Sequence, residues 1–210
     1  MASTIHVIVL SLIYAILASG RQSLKEAAVE ARHLIHYEKY ADMNAVYQSG
    51  SLTNSPVGLI EYFADCGMNG NVVMLMVTIG TIAQEWHAGS NISMSVRTPE
   101  NVYSVAANPR ISLQGNWTYI ETKHDLRQAA TCFFEKHPDA VWWRPGNKVH
   151  DTRFVEFQVS SVYHIGGFGD TKHIGFIPLD LYHNVSLDEI DAYDSSDRQI
   201  QTVGGRFSAE

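Results

Sequence analysis

Residues 153–177 read RFVEFQVSSVYHIGGFGDTKHIGFI and carry the clearest β signal of the chain. Apolar and polar side chains alternate from Arg153 to His164, as expected for a strand with one buried face. Three glycines follow in Gly166–Asp170, and a second apolar run occupies His173–Ile177. The glycines do not open a helix and no Gly-Lys-Ser/Thr occurs, so a hairpin turn or β-bulge is favoured over a phosphate-binding loop. The stretch predicts two antiparallel strands.

Five upstream segments also have the composition of strands: Met43–Tyr47, Val57–Ala64, Asn71–Ile79, Ile92–Arg97 and Arg110–Ile120. An apolar stripe at helical spacing predicts a helix over Ser23–Tyr40 (Leu24, Ala27, Ala28, Ala31, Leu34 and Ile35). A second helix is predicted over Asp125–Lys136, with Asp125 and Gln128 as a capping box and Pro138 beyond its end. Strands and helices do not alternate. The pattern predicts a mainly β (α+β) chain, an antiparallel barrel with a few flanking helices.

No motif for catalysis or metal binding stands out. His33 and His36 have the i, i+3 spacing of a metal pair, but His33 lies opposite the apolar stripe of its helix and is expected to face solvent. The ten histidines do not cluster at a known ligand spacing, and no G-x-S-x-G or H-E-x-x-H occurs. We therefore predict no catalytic residue and no metal site.

The two ends of the chain differ from its middle. Ile5–Leu17 is apolar but shorter than the roughly 20 residues that span a bilayer, and small residues precede Arg21. Residues 1–20 are therefore predicted to be a signal peptide; a buried helix or a membrane anchor is the alternative. After cleavage no membrane span is expected. Residues 21–186 form the predicted domain, and residues 187–210 an acidic, flexible tail.

Three N-x-Ser/Thr sequons occur, at Asn91, Asn116 and Asn184. Behind a signal peptide they predict a secreted glycoprotein. In an oxidising compartment Cys66 and Cys132 would form a disulfide; the alternative is two separate buried thiols.

The charge balance excludes some partners. The net charge is −7 and the sequence pI about 5.8. An acidic protein lacks the positive surface that nucleic acids require and that anionic membranes attract, so neither is an expected partner. With 45% hydrophobic residues the chain can bury a full core, which excludes a largely disordered protein.

The segment His137–Ser186 resembles the CREG family, whose signatures HPDA…PG…H, VYxIGGFGD and IGxIP occur in it, and it is most similar to the fungal branch. Upstream, Ala31–Glu38, Pro56–Cys66 and the NISMSVR segment also fit. His164 departs from the aromatic residue frequent at that position. The resemblance implies an FMN-binding split barrel related to pyridoxamine-phosphate oxidase, a homodimer with interfacial flavin sites, and a secreted or endolysosomal glycoprotein.

The resemblance also points to where a flavin would bind, because related oxidases hold the FMN phosphate with Arg and Lys of the early strands and the following turn. Residues 40–96 contain no Arg or Lys. Ile60, Glu61 and Tyr62 stand where the first cations are expected, and residues 84–87 replace the second basic cluster. Thr78 and Thr81 would compensate only in part. A phosphate dianion there would lack charge-assisted hydrogen bonds and be repelled by Glu61.

The resulting hypothesis is a secreted, or vacuolar or endolysosomal, glycoprotein acting as a dimeric, non-catalytic binding module for a protein or receptor partner, with tight flavin binding lost. The main alternative is an FMN-dependent oxidoreductase of the pyridoxamine-phosphate oxidase type, with the phosphate charge met by Arg97, Arg110 or Arg144. A third possibility is a haem- or metal-handling protein that uses the histidines.

Overall fold

A computed structural model describes residues 21–98, 105–147 and 149–193. The predicted signal peptide lies outside the described residues. The strands are β1 (Tyr40–Val46), β2 (Pro56–Ala64), β3 (Val72–Val77), β4 (Ile92–Arg97), β5 (Arg110–Tyr119), β6 (Thr152–Ile165) and β7 (Ile174–Ile177). The helices are α1 (Leu24–Tyr37), α2 (Thr81–His87), α3 (Lys123–Lys136), α4 (Leu179–His183) and α5 (187–193). The mainly β prediction is confirmed.

Six strands close into an antiparallel barrel in the order β3-β2-β1-β4-β5-β6, because β6 also pairs with β3. β7 continues the sheet beyond β6, so residues 165 and 174 face each other across the predicted glycine-rich hairpin turn. β2 pairs with β3 only through Phe63 and Ala64, although it pairs with β1 along most of its length. The first part of β2 therefore diverges from β3. This gap is the split of the barrel.

The alternation of side chains along the strands fills the barrel, as the sequence predicts. Met43, Met94, Leu113 and Phe157 point inward and are fully buried. Helix α1 packs its alanines into the same core, and α3 covers the outside of β2, β3 and β6 with a second cluster centred on Phe133. None of the helices in the described part of the chain is long and apolar enough to cross a membrane.

Cys66 and Cys132 are joined by a disulfide, with their Cα atoms 5.8 Å apart. The bond ties the end of β2 to α3, so the pairing predicted from the two cysteines is present. It closes a separation of 66 residues. A loop of that size contributes roughly 4 kcal/mol by restricting the unfolded chain.

Helix boundaries show where local patterns were insufficient. Helix α2 was not predicted. Helix α3 begins earlier than expected, because Thr122 is its N-cap and accepts a hydrogen bond from the Asp125 amide. The expected capping box of Asp125 and Gln128 is wrong. Ser23, in contrast, makes a complete capping box with Glu26 at the start of α1.

The C-terminal end of the domain lies further along the chain than predicted. Residues 187–193 are helical, and Ile190 is buried in the main core. The structured region therefore extends past the predicted boundary at residue 186. The prediction placed the boundary too early because the segment is mostly acidic and Ile190 is one of its few apolar residues. Residues 194–210 of the predicted tail lie outside the described residues.

Candidate functional site

The split between β2 and β3 is a narrow crevice that contains the carboxyl group of Glu61. Strand alternation turns Glu61 toward the barrel interior, whereas Ile60 points outward and is 72% exposed. The crevice has a volume of about 10 Å³, room for roughly one water molecule. Its walls are apolar side chains and backbone of β3, α2 and β5 (Met74, Leu75, Met76, Val77, Gly80, Ile82, Ala83 and Trp117).

Burial among these apolar side chains raises the pKa of Glu61 to about 7. A carboxylate in such a place loses hydration without gaining a compensating charge. Glu61 is therefore a proton-binding group near neutral pH, and when ionised it gives the crevice a negative charge.

The other residues expected near a flavin phosphate are engaged in structural hydrogen bonds. The Tyr62 hydroxyl donates to Asp139 at 2.7 Å. The Gln84 amide donates to the carbonyl of Ile79, and Glu85 accepts from the Gln48 backbone at 2.7 Å. These bonds connect β2 and α2 to neighbouring loops.

The Thr78 hydroxyl is also occupied, because it donates to the Asp151 carboxylate at 2.6 Å. Glu61 is the acid that lines the crevice, while Glu85 and Asp151 are engaged in hydrogen bonds with Gln48 and Thr78. A phosphate dianion in the crevice would meet the Glu61 carboxylate, and no Arg or Lys of the described residues lines it. The residues of the split do not fit an FMN phosphate.

Helix α2 ends in an aromatic cluster beside the split. The Trp86 indole donates to the Asn116 side chain at 2.6 Å, and its ring meets Trp117 edge-on with centroids 5.5 Å apart. His87 hydrogen-bonds the Tyr119 hydroxyl at 3.0 Å. Arg153 lies over the Tyr119 ring at 4.0 Å.

Arg153 is a cation beside this cluster that the sequence pattern did not indicate. It lies outside residues 40–96, but β6 pairs with β3 and sets Arg153 opposite Met76. In the sequence, Arg153 is marked only by its position at the start of the alternating segment 153–164. Arg97 and Arg110 sit together on the outer face of β4 and β5, while Arg144 follows the 3-10 helix Pro138–Trp143.

The remaining predicted sites are scattered over the molecule. The sequon residues Asn91, Asn116 and Asn184 are exposed and far apart along the chain. His33 is half-buried, and His36 lies 3.5 Å from Asp65. In the described residues no three His, Cys, Asp or Glu side chains converge as metal ligands.

The raised pKa of Glu61 predicts a pH-dependent stability. The unfolded carboxyl ionises near its usual 4.5, but the folded one only near 7, so folding becomes less favourable as pH rises through this window. Glu61→Gln is expected to raise the free energy of unfolding by about 2 kcal/mol at pH 8, after allowance for partial exposure, and to change it little at pH 4. Chemical denaturation at the two pH values measures the difference.

Glu121→Gln, which replaces an exposed carboxylate, is the matched control, and its effect on the free energy of unfolding should be the same at pH 4 and pH 8. An equal effect of Glu61→Gln at pH 4 and pH 8 would contradict the assignment.

Comparison with known proteins agrees with this architecture. The family described as CREG, beta-barrel matches residues 22–184. Among solved structures, a heme binding protein from Mycobacterium smegmatis superposes with a TM-score of 0.62 at 16% identity, covering 75% of this chain and 60% of that one. The protein Atu2129 of Agrobacterium tumefaciens, of unknown function, gives 0.55 at 16% identity, covering 79% of this chain and 60% of that one.

At such low identity these neighbours establish the fold alone, and this chain spans about three fifths of the length of each. A comparison with curated proteins finds no match. The family match covers nearly all of the described barrel, including α1, the split and the β6–β7 hairpin. This protein belongs to the CREG beta-barrel family.

Proposed function

We propose that this protein is a secreted, or vacuolar or endolysosomal, glycoprotein that acts as a dimeric, non-catalytic binding module for a protein or receptor partner. The observation that carries the proposal is the Glu61 side chain, which lines the split among apolar walls, with no Arg or Lys beside it in the described residues. A carboxylate in the place of the phosphate-binding cations opposes tight FMN binding.

The visible absorption spectrum of protein purified from its native secretory route tests the loss of flavin. We expect no stoichiometric flavin band, which for oxidised flavin lies near roughly 450 nm. Such a band in the folded protein would overturn the proposal. The same spectrum tests haem, since a haem band near roughly 400 nm would instead favour the function named for the mycobacterial neighbour.

An FMN-dependent oxidoreductase is the second candidate, and Arg153 is the observation that favours it. Its guanidinium group lies over the Tyr119 ring, next to the end of α2. If the protein carries flavin, Arg153→Gln should weaken FMN binding about tenfold or more, since a charge-assisted hydrogen bond to phosphate would be lost. Titration of the flavin-free protein with FMN, followed by flavin fluorescence, measures this. No effect of Arg153→Gln would remove the support for this candidate.

The proposed glycosylation is supported by the exposure of Asn91, Asn116 and Asn184. The Asn116 side-chain oxygen accepts a hydrogen bond from the Trp86 indole, so the Asn116 amide nitrogen remains available for glycan attachment. Digestion of native material with a glycosidase should increase its electrophoretic mobility. Each Asn→Gln variant should lack one glycan and therefore show a smaller mobility shift on digestion. Unchanged mobility of the native material would count against a secreted glycoprotein.

A homodimer is the proposed assembly, with the half of the β1–β2 hairpin that lies away from its turn in the interface. Apolar side chains there are exposed in the single chain: Tyr40 by 51%, Leu59 by 43% and Ile60 by 72%. On the side of β2 away from β1, most of the strand has no β-strand partner in the described structure, because β3 pairs only with Phe63 and Ala64. A second copy would bury these groups.

Ile60→Glu is expected to convert the dimer to a monomer, because a charge would be buried in the centre of the contact. Sedimentation velocity measures the mass. Val149→Glu is the matched control, since Val149 is also 72% exposed but lies in the loop before β6, and should leave the dimer intact. A wild-type protein that stays monomeric at high concentration would exclude the assembly.

A further inference from the structure

Two arginines occupy directly opposed positions on the outer face of the barrel. Arg97, the last residue of β4, pairs with Arg110, the first residue of β5. Side chains of directly opposed residues in antiparallel strands lie about 5 Å apart at Cβ, and like charges there repel. In a protein with a net charge of −7, this pair forms a local concentration of positive charge.

The Arg110 guanidinium is held in position by the backbone. One terminal nitrogen donates to the carbonyl oxygens of Ala106 and Asn108, both at 3.2 Å. The remaining N–H groups of Arg110 make no other hydrogen bond within the described residues. Neither Arg97 nor Arg110 has a carboxylate of the described residues within ion-pair distance. Arg110 thus offers donors in a fixed orientation for an anion, and Arg97 adds a second guanidinium group beside them.

These donors line a cavity of about 200 Å³ between β1, β4, β5 and β6. Ser95 and Ser112 face each other in the adjacent row, and Tyr163 follows Ser112 on β6. Asp42 occupies the β1 end of the same row, opposite Ser95. The cavity therefore combines a row with two arginines and a neighbouring row of hydroxyl groups that ends at an acid.

We propose that this cavity binds a small phosphate monoester, with the phosphate between Arg97 and Arg110 and hydroxyl or ammonium donors of the organic part near Asp42. Two guanidinium groups can each chelate a pair of oxygens, and a phosphate monoester has three terminal oxygens to share between them. A carboxylate has only two oxygens, which a single arginine satisfies. The adjacent hydroxyls and Asp42 would accept hydrogen bonds from the remainder of the ligand.

The site is separate from the split that contains Glu61. Glu61 points toward the barrel interior from β2, whereas the arginine pair points outward from β4 and β5. The presence or absence of flavin at the split therefore leaves this inference unaffected.

Isothermal titration of the full-length protein at low ionic strength tests the proposal, with glycerol 3-phosphate, inorganic phosphate and glycerol as probes. We expect saturable binding of glycerol 3-phosphate with one site per chain and none of glycerol. Arg97→Gln should weaken binding by about tenfold or more, and Arg97→Lys by less, because lysine keeps the charge but loses the paired donors. Arg97 is exposed, so neither variant should impair folding.

Two further variants separate the site from general electrostatic attraction. Arg127→Gln removes an exposed arginine that is outside the cavity and should leave binding unchanged. Asp42→Asn should strengthen binding of inorganic phosphate, because it removes a carboxylate that repels the anion. It should also reduce the preference for glycerol 3-phosphate, because that carboxylate accepts hydrogen bonds from the glycerol hydroxyl groups.

Several results would overturn the proposal: no saturable binding by the folded wild-type protein, or equal losses in Arg97→Gln and Arg127→Gln. A loss of dimer in Arg97→Gln without a change in phosphate binding would also overturn it, since the arginines would then serve the contact between copies.

Discussion

Replacing Asp65 with asparagine is expected to lower the free energy of unfolding by about 3–5 kcal/mol, because it leaves a buried guanidinium group without its counter-charge. Arg32 and Asp65 form an ion pair at 3.2 Å, and their side chains are 0% and 1% exposed. Arg32 also donates to the Tyr182 carbonyl. Burial alone would raise the pKa of Asp65, but the neighbouring His36 imidazole and the charge of Arg32 lower it below its usual value.

Chemical denaturation at pH 7 measures the loss. Lys25→Gln is the matched control, because it breaks the exposed Lys25–Glu189 pair, whose side chains are 45% and 39% exposed. That change should cost no more than about 0.5 kcal/mol. A double variant, Arg32→Met with Asp65→Leu, should be more stable than Asp65→Asn, since no charge is left unpaired. Equal costs for Asp65→Asn and Lys25→Gln would show that the buried pair is not a determinant of stability.

A second buried pair predicts a loss of stability in acid. His164 lies 2.9 Å from Glu30, and both side chains are almost fully buried. Burial would raise the pKa of Glu30, but the close approach of His164, hydrogen bonds from Gln22 and Tyr193 and the charge of Lys172 together lower it to about 2. The stabilisation is therefore present above the usual carboxyl pKa of 4.5 and is lost as pH falls toward 2.

Glu30→Gln is expected to reduce the free energy of unfolding by about 3 kcal/mol at pH 6, with the difference from the wild type narrowing as pH falls from 4.5 to 2. Denaturation curves followed by tryptophan fluorescence at several pH values measure the narrowing. Lys172→Gln should cost much less, because the Lys172 side chain is 43% exposed. A constant difference across this pH range would refute the role of the carboxylate. In the acidic lumen proposed for this protein, Glu30 would still be ionised.

Much of the fold could be predicted because strand signals are local. The alternation in residues 153–164 and the glycines after it correspond to β6, the turn and β7, with boundaries within one residue at most positions. Helix α2 was missed because its seven residues carry too few apolar side chains to show a helical period. Its C-terminal half is held instead by hydrogen bonds of Glu85, Trp86 and His87 to other segments.

The candidate site was predicted in part. The cation-free interval of residues 40–96 pointed to Glu61 as the residue in place of the first cations, and the structure places Glu61 in the split. Arg153 could not be anticipated, since the pairing of β6 with β3 brings it there across more than seventy residues. The opposition of Arg97 and Arg110 likewise depends on the register of two strands.

The amino-acid sequence by itself determined the β-rich class, the hairpin of β6 and β7, the alanine stripe of α1 and the absence of Arg and Lys from residues 40–96. These features follow from side-chain periodicity and composition, which act over a few residues. Tertiary structure alone decided that Glu30 and Arg32, on the flank of that stripe, are buried and paired with His164 and Asp65. A charged residue is stable in the interior only when a partner lies beside it, and these partners come from distant parts of the chain, His164 from β6 and Asp65 from the residue after β2.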